Sequence, residues 1–575
     1  MTDPAAGNCW CSQAKGHHVM LYMMWLYCDD TSGNISKKWN KHNSWLFTAV
    51  GLPHNIGQQE SNVHFLSTSN IAPPFEMLDR IVSQLEDAQH NGIWAWDIHL
   101  KEMILVIPGV LALLGDNPMQ SELACHVSLA GKFFCRYCWV KGCDASDELD
   151  LPHDELAGSG HQADSNSKHS NTFASSAGSH SKRAKKMRCA ETLQELVDRA
   201  RHFFAVRDCS HMLGHLQAIF QEASTVGGTT RAKQMKTETG MKDTFQDHFV
   251  NRIAAFSCKL HGSHGEKQAI IDEMITSEFP ANTSSPIFHI HDLDVNHDTP
   301  VEILHVVLLG FIKYFWCDAI ACIPRDHKDL LKTWLSSLDV SGLGLPSLAG
   351  ETLVTYVGSL TGRNFQTISQ VASFVLYNMV SAECFDAWLM LCTLVPLIWQ
   401  PVIEDLESHL ESMNRVIKHF LCCTAHWTPW WFNKPKFHII LHLVAHVRHF
   451  GPAILFATKG FESFNAIIHM QRIHSNCHAP SRDIACGFAH VNRICHLLSG
   501  GIFMHQDPTS GWHACHNADS DPAAWMTAGR YPLALVHPRM DVKNVIMDYY
   551  GLSKATDAIA QHSLGMHVMP QLHIF

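Results

Sequence analysis

The order of secondary structure predicted for the first part of the chain constrains its fold more than any other feature. Three segments rich in aromatic and apolar residues and separated by turn residues predict strands, namely residues 18–28, 44–52 and 62–69. Residues 73–92 begin with two prolines, carry apolar residues at helical spacing and precede an apolar run that reaches Asp116. We interpret that run as one buried strand with its approach. Three strands, a helix and a strand predict an α/β fold.

The rest of the chain divides into a low-complexity stretch, a long helical part and a tail. Residues 144–188 are rich in Ser, Gly, His and Asp, which is typical of a solvated linker, and they end in "KRAKKMR", which also fits a nuclear address. The predicted organisation is an N-terminal tail (1–17), the first part of a core (18–143), the linker (144–188), a mainly helical insertion (189–430), a segment that completes the core (431–500) and a C-terminal tail (501–575).

Composition limits the class of protein. Hydrophobic content of 46% with 17% charged residues is too apolar for global disorder. The longest apolar run, residues 103–114, contains Pro108 and is too short to span a bilayer, so no membrane partner is predicted. The 20 cysteines lack a framework spacing, which favours reduced thiols in the cytosol or nucleus. A net charge of -11 argues against a large nucleic-acid surface.

Three separated acids occupy the positions that carry chemistry in one α/β arrangement. An RNase H-like core has the order strand, strand, strand, helix, strand, helix, long helical insertion and final helix. In such a core, acids converge on metal ions about 3.5–4 Å apart. The first acid is Asp29 or Asp30, the second is Asp116 and the third is Glu462. Each also has a simpler interpretation, as a turn residue, a helix cap or a solvated side chain.

The helix that carries Glu462 has an apolar face and a polar stripe beside it. Phe461, Phe464, Ile467 and Ile468 form the apolar face, and Glu462, Asn465, His469 and Arg472 form the stripe. An acid on such a stripe can point into a site while its helix packs. Asn465 and Arg472 are the predicted DNA-binding residues.

Five blocks of sequence carry a resemblance to a known family. They are "YCDDTSGNISKKWNKHNSWLFTAVGLP", "LLGDNPMQSELACHVSLAGKFFCRYCWVKG", "DTPVEILHVVLLGFIKYFW", "NKPKFHIILHLVAHVRHFGPAILFAT" and "FESFNAIIHMQRIHSN". Together, over residues 18–500, they resemble fungal Plavaka-type transposases, which are related to the CACTA (EnSpm) DDE transposases.

The resemblance implies an RNase H-like catalytic domain, interrupted by a large helical insertion, that cuts transposon ends and joins them to target DNA with Mg²⁺ or Mn²⁺. Asp116 and Glu462 match the second and third acids of the family. Asp29 is favoured over Asp30 as the first acid because it follows the strand directly. The resemblance also implies a nuclear protein whose partners are DNA and further copies of the chain.

A zinc site is a further implication of the resemblance. In related transposases the second acid is followed by Cys-x-x-Cys and then by acid-x-x-His, and the matching residues here are Cys135, Cys138, Glu302 and His305. Two thiolates and the His305 imidazole approach a tetrahedral zinc site, with Cys125 or His126 as the fourth ligand. Such a site would anchor the helical insertion near Asp116. The alternative is that the cysteines are reduced core residues.

Several positions depart from the family pattern. Cys143, Cys317, His469 and Cys477 stand where arginine is usual, and Lys459 stands where an acid is usual. Arginine codons that begin with CG become cysteine or histidine codons by one C-to-T change, so the 42 histidines fit the decay of a silenced element. Two other functions therefore compete with an active transposase: a domesticated or inactive DNA- or chromatin-binding protein, and a metal-dependent nuclease outside transposition.

Overall fold

The structure is a computed structural model, and it describes residues 9–32, 41–97, 100–129, 131–142, 193–473, 475, 478–498, 503–507 and 511–515. The predicted linker (144–188) lies outside the described residues, as do Cys143, Cys477 and most of the predicted C-terminal tail.

Within the part of the chain that the structure describes, seven strands form two sheets. The strands are β1 (Val19–Ser32), β2 (Lys41–Ala49), β3 (His64–Ser69), β4 (Ile93–Asp97), β5 (Glu102–Leu114), β6 (Phe503–Asp507) and β7 (Gly511–Cys515). The larger sheet has the order β3-β2-β1-β5-β4, and β6 pairs with β7 in a separate hairpin.

Helices make up most of the remaining described chain. The α-helices are α1 (Cys9–Gln13), α2 (His54–Gly57), α3 (Pro74–Asn91), α4 (Asn117–Leu123), α5 (Leu193–Arg201), α6 (Cys209–Ala223), α7 (Thr229–Thr239), α8 (Thr244–Ser257), α9 (His264–Glu278), α10 (Lys313–Cys322), α11 (Arg325–Ser337), α12 (Gly350–Thr355), α13 (Gly362–Val375), α14 (Ala382–Ile398), α15 (Leu406–Trp427), α16 (Lys436–Ile439), α17 (Leu443–Phe450), α18 (Lys459–Ile473) and α19 (Pro480–Leu498). A π-helix spans Leu304–Ile312, and short 3-10 helices include Pro429–Asn433 and Ile440–His442.

The five-stranded sheet confirms the predicted α/β class. β1 pairs with β2, β2 with β3 and β4 with β5, all antiparallel. The sheet is mixed, so the remaining neighbours, β1 and β5, run parallel. Helix α3 lies between β3 and β4 in the chain and provides the crossover that a parallel pair requires.

The apolar run before Asp116 forms two strands, where the sequence predicts one. β4 and β5 pair through Asp97 opposite Glu102. The turn is stabilised by Asp97, whose Oδ1 accepts a hydrogen bond from the Leu100 amide, and by Lys101, which adopts a φ of 55°. Hydrophobicity does not distinguish one long buried strand from a hairpin whose turn is only a few residues long.

The chain divides into two compact units. Unit 1 contains Met1–Leu111, His289–His291 and Lys459–Phe575, and unit 2 contains Ala112–Phe288 and Asp292–Thr458. Unit 2 includes residues 431–458, which the sequence analysis assigned to core completion.

Aromatic side chains of the larger sheet attach helices in unit 1. The Trp45 indole of β2 donates a hydrogen bond to the Pro74 carbonyl at the start of α3. Phe488 of α19 stacks on Phe65 of β3, with ring centroids 4.6 Å apart, and on Phe464 of α18 at 5.2 Å. These contacts fix α18, which carries Glu462, within unit 1.

Unit 2 is mainly helical and has an apolar core around the π-helix and α10. Phe311, Phe315 and Trp316 are fully buried there. The segment Leu304–Cys322 is long and apolar enough to cross a membrane, and 61% of its most apolar window is buried within the protein. The core helix of a folded domain has the same length, composition and burial.

Candidate metal centre and acid cluster

Four buried side chains of unit 2 place their ligand atoms within 4.8 Å of one another: Cys135, Cys138, His438 and His442. The Cys138 Sγ is 3.1 Å from the His438 Nε2, and the Cys135 Sγ is 3.4 Å from the His442 Nε2. The two Nε2 atoms are 3.2 Å apart. Tetrahedral zinc with its usual bond lengths holds sulfur and nitrogen ligands roughly 3.3–3.8 Å apart, so the spacing fits a Cys2His2 centre.

Local structure explains why the four residues converge. α16, the 3-10 helix Ile440–His442 and α17 form one continuous helical segment. His438 lies one turn before His442 in this segment, so both imidazoles lie on one helical face. The cysteines lie in a loop, where the Arg207 Nε donates to the carbonyls of Cys135 and Cys138 at 3.1 and 3.2 Å. Arg207 therefore closes the Cys-x-x-Cys turn with one guanidinium.

The surroundings of the four residues are apolar and aromatic. Tyr137 lies against His442, with ring centroids 4.5 Å apart, and Phe134 meets His438 edge-on at 5.7 Å. Burial lowers the pKa of His438, which favours the neutral imidazole that a metal requires. Burial alone would raise the pKa of the Cys135 thiol, but hydrogen bonding with Cys138 and the histidines lowers it well below its usual range, which favours the thiolate.

The histidines differ from the ligand set predicted from sequence. His438 and His442 lie beside the thiols, whereas His305, Cys125 and His126 are not members of the cluster. His126 uses its Nδ1 to accept a hydrogen bond from the Ser128 amide. The spacing of two histidines four residues apart was the available signal in "FHIILHL", but they are about 300 residues from the cysteines.

His305 is held by the acid of its own motif. Glu302 is fully buried, and its carboxylate accepts from the His305 Nδ1 at 2.8 Å and from the backbone amides of Leu304, His305 and Thr458. Burial alone would raise the pKa of Glu302, but these hydrogen bonds lower it, so the carboxylate is ionised. The Glu302–His305 pair thus caps the start of the π-helix, and its imidazole is engaged there.

A chain of hydrogen bonds links the metal centre to the helix that follows Asp116. The Asp116 carboxylate caps α4 by accepting from the Met119 amide at 2.7 Å. Gln120 of α4 accepts at 2.7 Å from Arg136, which lies between the two cysteines. The Arg136 guanidinium also donates to the Pro300 carbonyl at 2.9 Å. The loop of the metal centre is therefore tied to the helix that Asp116 caps.

In unit 1, the acids predicted from β1 have different surroundings. Successive side chains of a strand point to opposite faces, so Asp29 and Asp30 diverge. Asp30 is exposed and forms an ion pair with Lys41. Asp29 is half-buried, and its Oδ2 accepts a hydrogen bond from the Tyr27 hydroxyl at 3.0 Å.

Tyr27 connects Asp29 to α18. Its hydroxyl accepts from the Asn465 Nδ2 at 3.1 Å, and its ring stacks on Phe461 with centroids 4.5 Å apart. Burial, together with the negative charges of Asp29 and Glu462, raises the pKa of Tyr27 well above its ordinary value. Two carboxylates from separate elements, β1 and α18, thus both interact electrostatically with one buried hydroxyl.

The two predicted DNA-binding residues of α18 are buried. Asn465 is 6% exposed and Arg472 is 7% exposed. The Asn465 Nδ2 donates a hydrogen bond to the Tyr27 hydroxyl, and the Arg472 Nε donates to the His42 Nε2 of β2 at 3.2 Å. Burial and the charge of Arg472 lower the pKa of His42 to about 4, so this imidazole is a neutral acceptor. Both α18 side chains connect elements of unit 1, and their role as DNA contacts stays a prediction.

The chain has been compared with known proteins. No protein-family model matches it, and a search of curated proteins gives no match. The transposase resemblance therefore stays a prediction.

Proposed function

We propose that this chain is a transposase-derived protein with a DDE-type core that cleaves DNA strands and transfers them at transposon ends. In this proposal Asp29 and Glu462 bind Mg²⁺ or Mn²⁺, with Asp116 as the third acid. Asp116 follows by two residues the end of β5, the sheet neighbour of β1. The order β3-β2-β1-β5-β4 is compatible with an RNase H-like core, and that assignment is part of the proposal.

The observation that carries the proposal is the shared influence of Asp29 and Glu462 on the Tyr27 hydroxyl. One acid comes from the central strand β1 and the other from the late helix α18, as the chemistry requires. Two carboxylates near one buried tyrosine raise its pKa, and a divalent cation bound to them would offset their negative charge.

The donor atoms suit a hard cation. The Asp29 carboxylate accepts hydrogen bonds from the Asp30 amide at Oδ1 and from the Tyr27 hydroxyl at Oδ2. Carboxylates are the ligands that Mg²⁺ and Mn²⁺ prefer. When bound, such ions activate a water or hydroxyl and stabilise the leaving oxygen. The Tyr27 hydroxyl, which accepts a hydrogen bond from Asn465, orients the Asp29 carboxylate.

The Cys2His2 cluster has a separate, structural part in the proposal. Four protein ligands fill a tetrahedral zinc site and leave no open position for substrate, which is the arrangement of structural zinc. Bound zinc would make the Cys-x-x-Cys loop more rigid. The Arg136–Gln120 hydrogen bond connects this loop to α4, so zinc would also help to fix the helix that Asp116 caps.

A non-catalytic DNA-binding protein is the second candidate. It is favoured by His469, which is on the helix of Glu462 and stands where the family that the chain resembles has arginine. Arginine binds phosphate bidentately, and histidine does not.

Strand cleavage tests the proposal directly. The full chain is incubated with supercoiled plasmid carrying the DNA that flanks its gene, with Mg²⁺, Mn²⁺ or neither. We expect slow nicking that requires a divalent ion and is abolished in Asp29→Asn, Asp116→Asn and Glu462→Gln, because an amide keeps the shape but loses the charge that holds the cation. Asp30→Asn is the matched control and should cut like the unmodified chain. No cutting by any of these proteins would favour the non-catalytic candidate, and equal cutting by all of them would refute the assigned acids.

A further inference from the structure

Unit 2 carries a group of lysines and aromatic side chains that neither metal site uses. Its members are Lys313, Tyr314, Trp430, Trp431, Lys434 and Lys436, which we call the lysine–tryptophan surface. Trp430, Trp431 and the two later lysines lie in or just after the 3-10 helix Pro429–Asn433, and Lys313 and Tyr314 begin α10.

Lys436 is held in place by the π-helix. Its ammonium donates to the His305 carbonyl at 2.7 Å. Gly310 allows this approach, because a Cβ there would lie 3.1 Å from the Lys436 Cδ and 3.0 Å from the His305 carbonyl oxygen. The π-helix thus accommodates a cation against its own backbone, and a π-helical turn is often found at functional sites.

The aromatic members of the surface pack next to the Lys436 ammonium and next to one another. The Lys436 ammonium lies 5.2 Å from the Tyr314 ring centroid, and Tyr314 stacks on Trp431 at 5.5 Å with the rings 5° from parallel. The next residue, Trp430, is 71% exposed. A tryptophan this exposed leaves its ring in water, where it gains little from packing within unit 2.

The charges of the surface are of one sign. Lys436 lies within electrostatic reach of the Glu302 carboxylate first, and then of Lys313, Asp116 and Lys434. Lys434 is exposed. Among the described residues, no carboxylate lies within 4.0 Å of any of these three ammonium groups. Like charges that lack close partners repel one another, and an anion with several charges would stabilise them.

We propose that the lysine–tryptophan surface binds a single-stranded segment of nucleic acid, with phosphates on the three lysines and an unpaired base stacked on Trp430. Lysines that follow a backbone beside aromatic rings are the usual composition of single-strand sites. An acidic peptide would satisfy the lysines but has no flat base for the indole, and in a duplex the bases stack on each other.

This inference rests on the proposed function for its choice of DNA, and it adds a substrate subsite to it. Lys436 is also within electrostatic reach of Asp116, the predicted second acid. A phosphate bound at Lys436 would therefore lie in the region of unit 2 that Asp116 occupies.

The test is DNA binding by the full, zinc-loaded chain with Ca²⁺ as the only added divalent ion, so that binding is read without cleavage. Fluorescence anisotropy is measured with a labelled oligonucleotide of about 16 nucleotides, single-stranded or paired with its complement. We expect Trp430→Ala to weaken single-strand binding about tenfold or more, with Trp430→Phe retaining most of it and duplex binding unchanged. Trp334→Ala, at a tryptophan 40% exposed on α11, is the matched control.

Salt dependence tests the lysines independently. Replacing both Lys313 and Lys434 by glutamine should reduce the slope of log affinity against log salt by about 1.4, because each single-strand phosphate contact contributes about 0.7. Lys259→Gln, at an exposed lysine after α8, should leave the slope unchanged. The inference is overturned if the unmodified chain binds no single strand, or if these variants bind like their controls. Lysine-dependent binding without metal-dependent nicking would uphold this surface and refute only the proposed cleavage.

Discussion

At the scale of single residues, one hydroxyl shows how the acid cluster is organised. Tyr27 donates to Asp29 within β1, and it joins β1 to α18 by one hydrogen bond, from Asn465, and one ring stack, on Phe461. The side chains of Cys28 and Asp30 point to the other face of the strand, where Asp30 forms an ion pair with Lys41. The alternation of a strand therefore distinguishes Asp29 from Asp30.

Replacing Tyr27 by phenylalanine should destabilise unit 1. The ring would keep its stack on Phe461, but the Asn465 amide would lose its acceptor inside the protein. An unsatisfied buried donor costs about 1–3 kcal/mol of unfolding free energy, which denaturant unfolding measures.

Tyr22→Phe is the matched control on the same strand. The Tyr22 hydroxyl has no hydrogen bond among the described residues, so removing it should change stability by less than about 0.5 kcal/mol. If both variants unfold alike, the hydroxyl of Tyr27 does not connect the two elements.

At the scale of elements, the metal centre joins a loop to a helical segment far along the chain. His438 and His442 are one turn apart, and the Cys-x-x-Cys loop is closed by Arg207 and linked to α4 by Arg136. The cysteines of the loop and the histidines of the helical segment are about 300 residues apart in the sequence. An ion bound by all four would restrict the movement of both elements.

Zinc analysis tests this centre. The purified chain should hold one zinc per molecule, with two sulfur and two nitrogen ligands at about 2.3 and 2.0–2.1 Å by X-ray absorption. His442→Ala should lower zinc affinity by more than about tenfold and lower the thermal unfolding midpoint, since even changes outside the ligands cost that much.

Cys125→Ala is the matched control for the cluster. Cys125 is buried in the same unit but lies outside the four-residue cluster, so zinc content should stay at one. Full zinc content in both Cys135→Ala and His442→Ala would show that these side chains are core residues and not ligands.

Local periodicity was sufficient to predict some elements and not others. The strands β1–β3 and the helices α3 and α18 were predictable because each has its own pattern of apolar residues bounded by turn residues. The β4–β5 turn was not, because it interrupts a run that is apolar on both sides. The histidine partners of Cys135 and Cys138 were not predictable, because sequence spacing does not specify which distant helix packs on a loop. The burial of Asn465 and Arg472 was not, because a polar stripe on a helix is the same whether it faces solvent or β1.

At the scale of the whole molecule, the proposal places two kinds of metal chemistry on residues of two compact units. Unit 2 holds the thiolate and imidazole ligands that suit zinc, and unit 1 holds Asp29 and Glu462, whose oxygens suit Mg²⁺ or Mn²⁺. In the sequence, unit 2 begins at Ala112 near the end of β5 and ends at Thr458, immediately before α18, while His289–His291 belong to unit 1. The four cluster residues belong to unit 2, whereas Asp29 and Glu462 belong to unit 1, so each set can be mutated while the other is measured.

Binding of Mn²⁺ to the carboxylates is the measurement that tests the central claim most directly, because it does not depend on turnover. Free Mn²⁺ is titrated by electron paramagnetic resonance in the presence of the full, zinc-loaded chain. The account predicts that the unmodified chain and Asp30→Asn bind Mn²⁺ alike, whereas Asp29→Asn and Glu462→Gln each bind it at least about tenfold more weakly while retaining their zinc. Equal binding by all four proteins, or none by the unmodified chain, would contradict it.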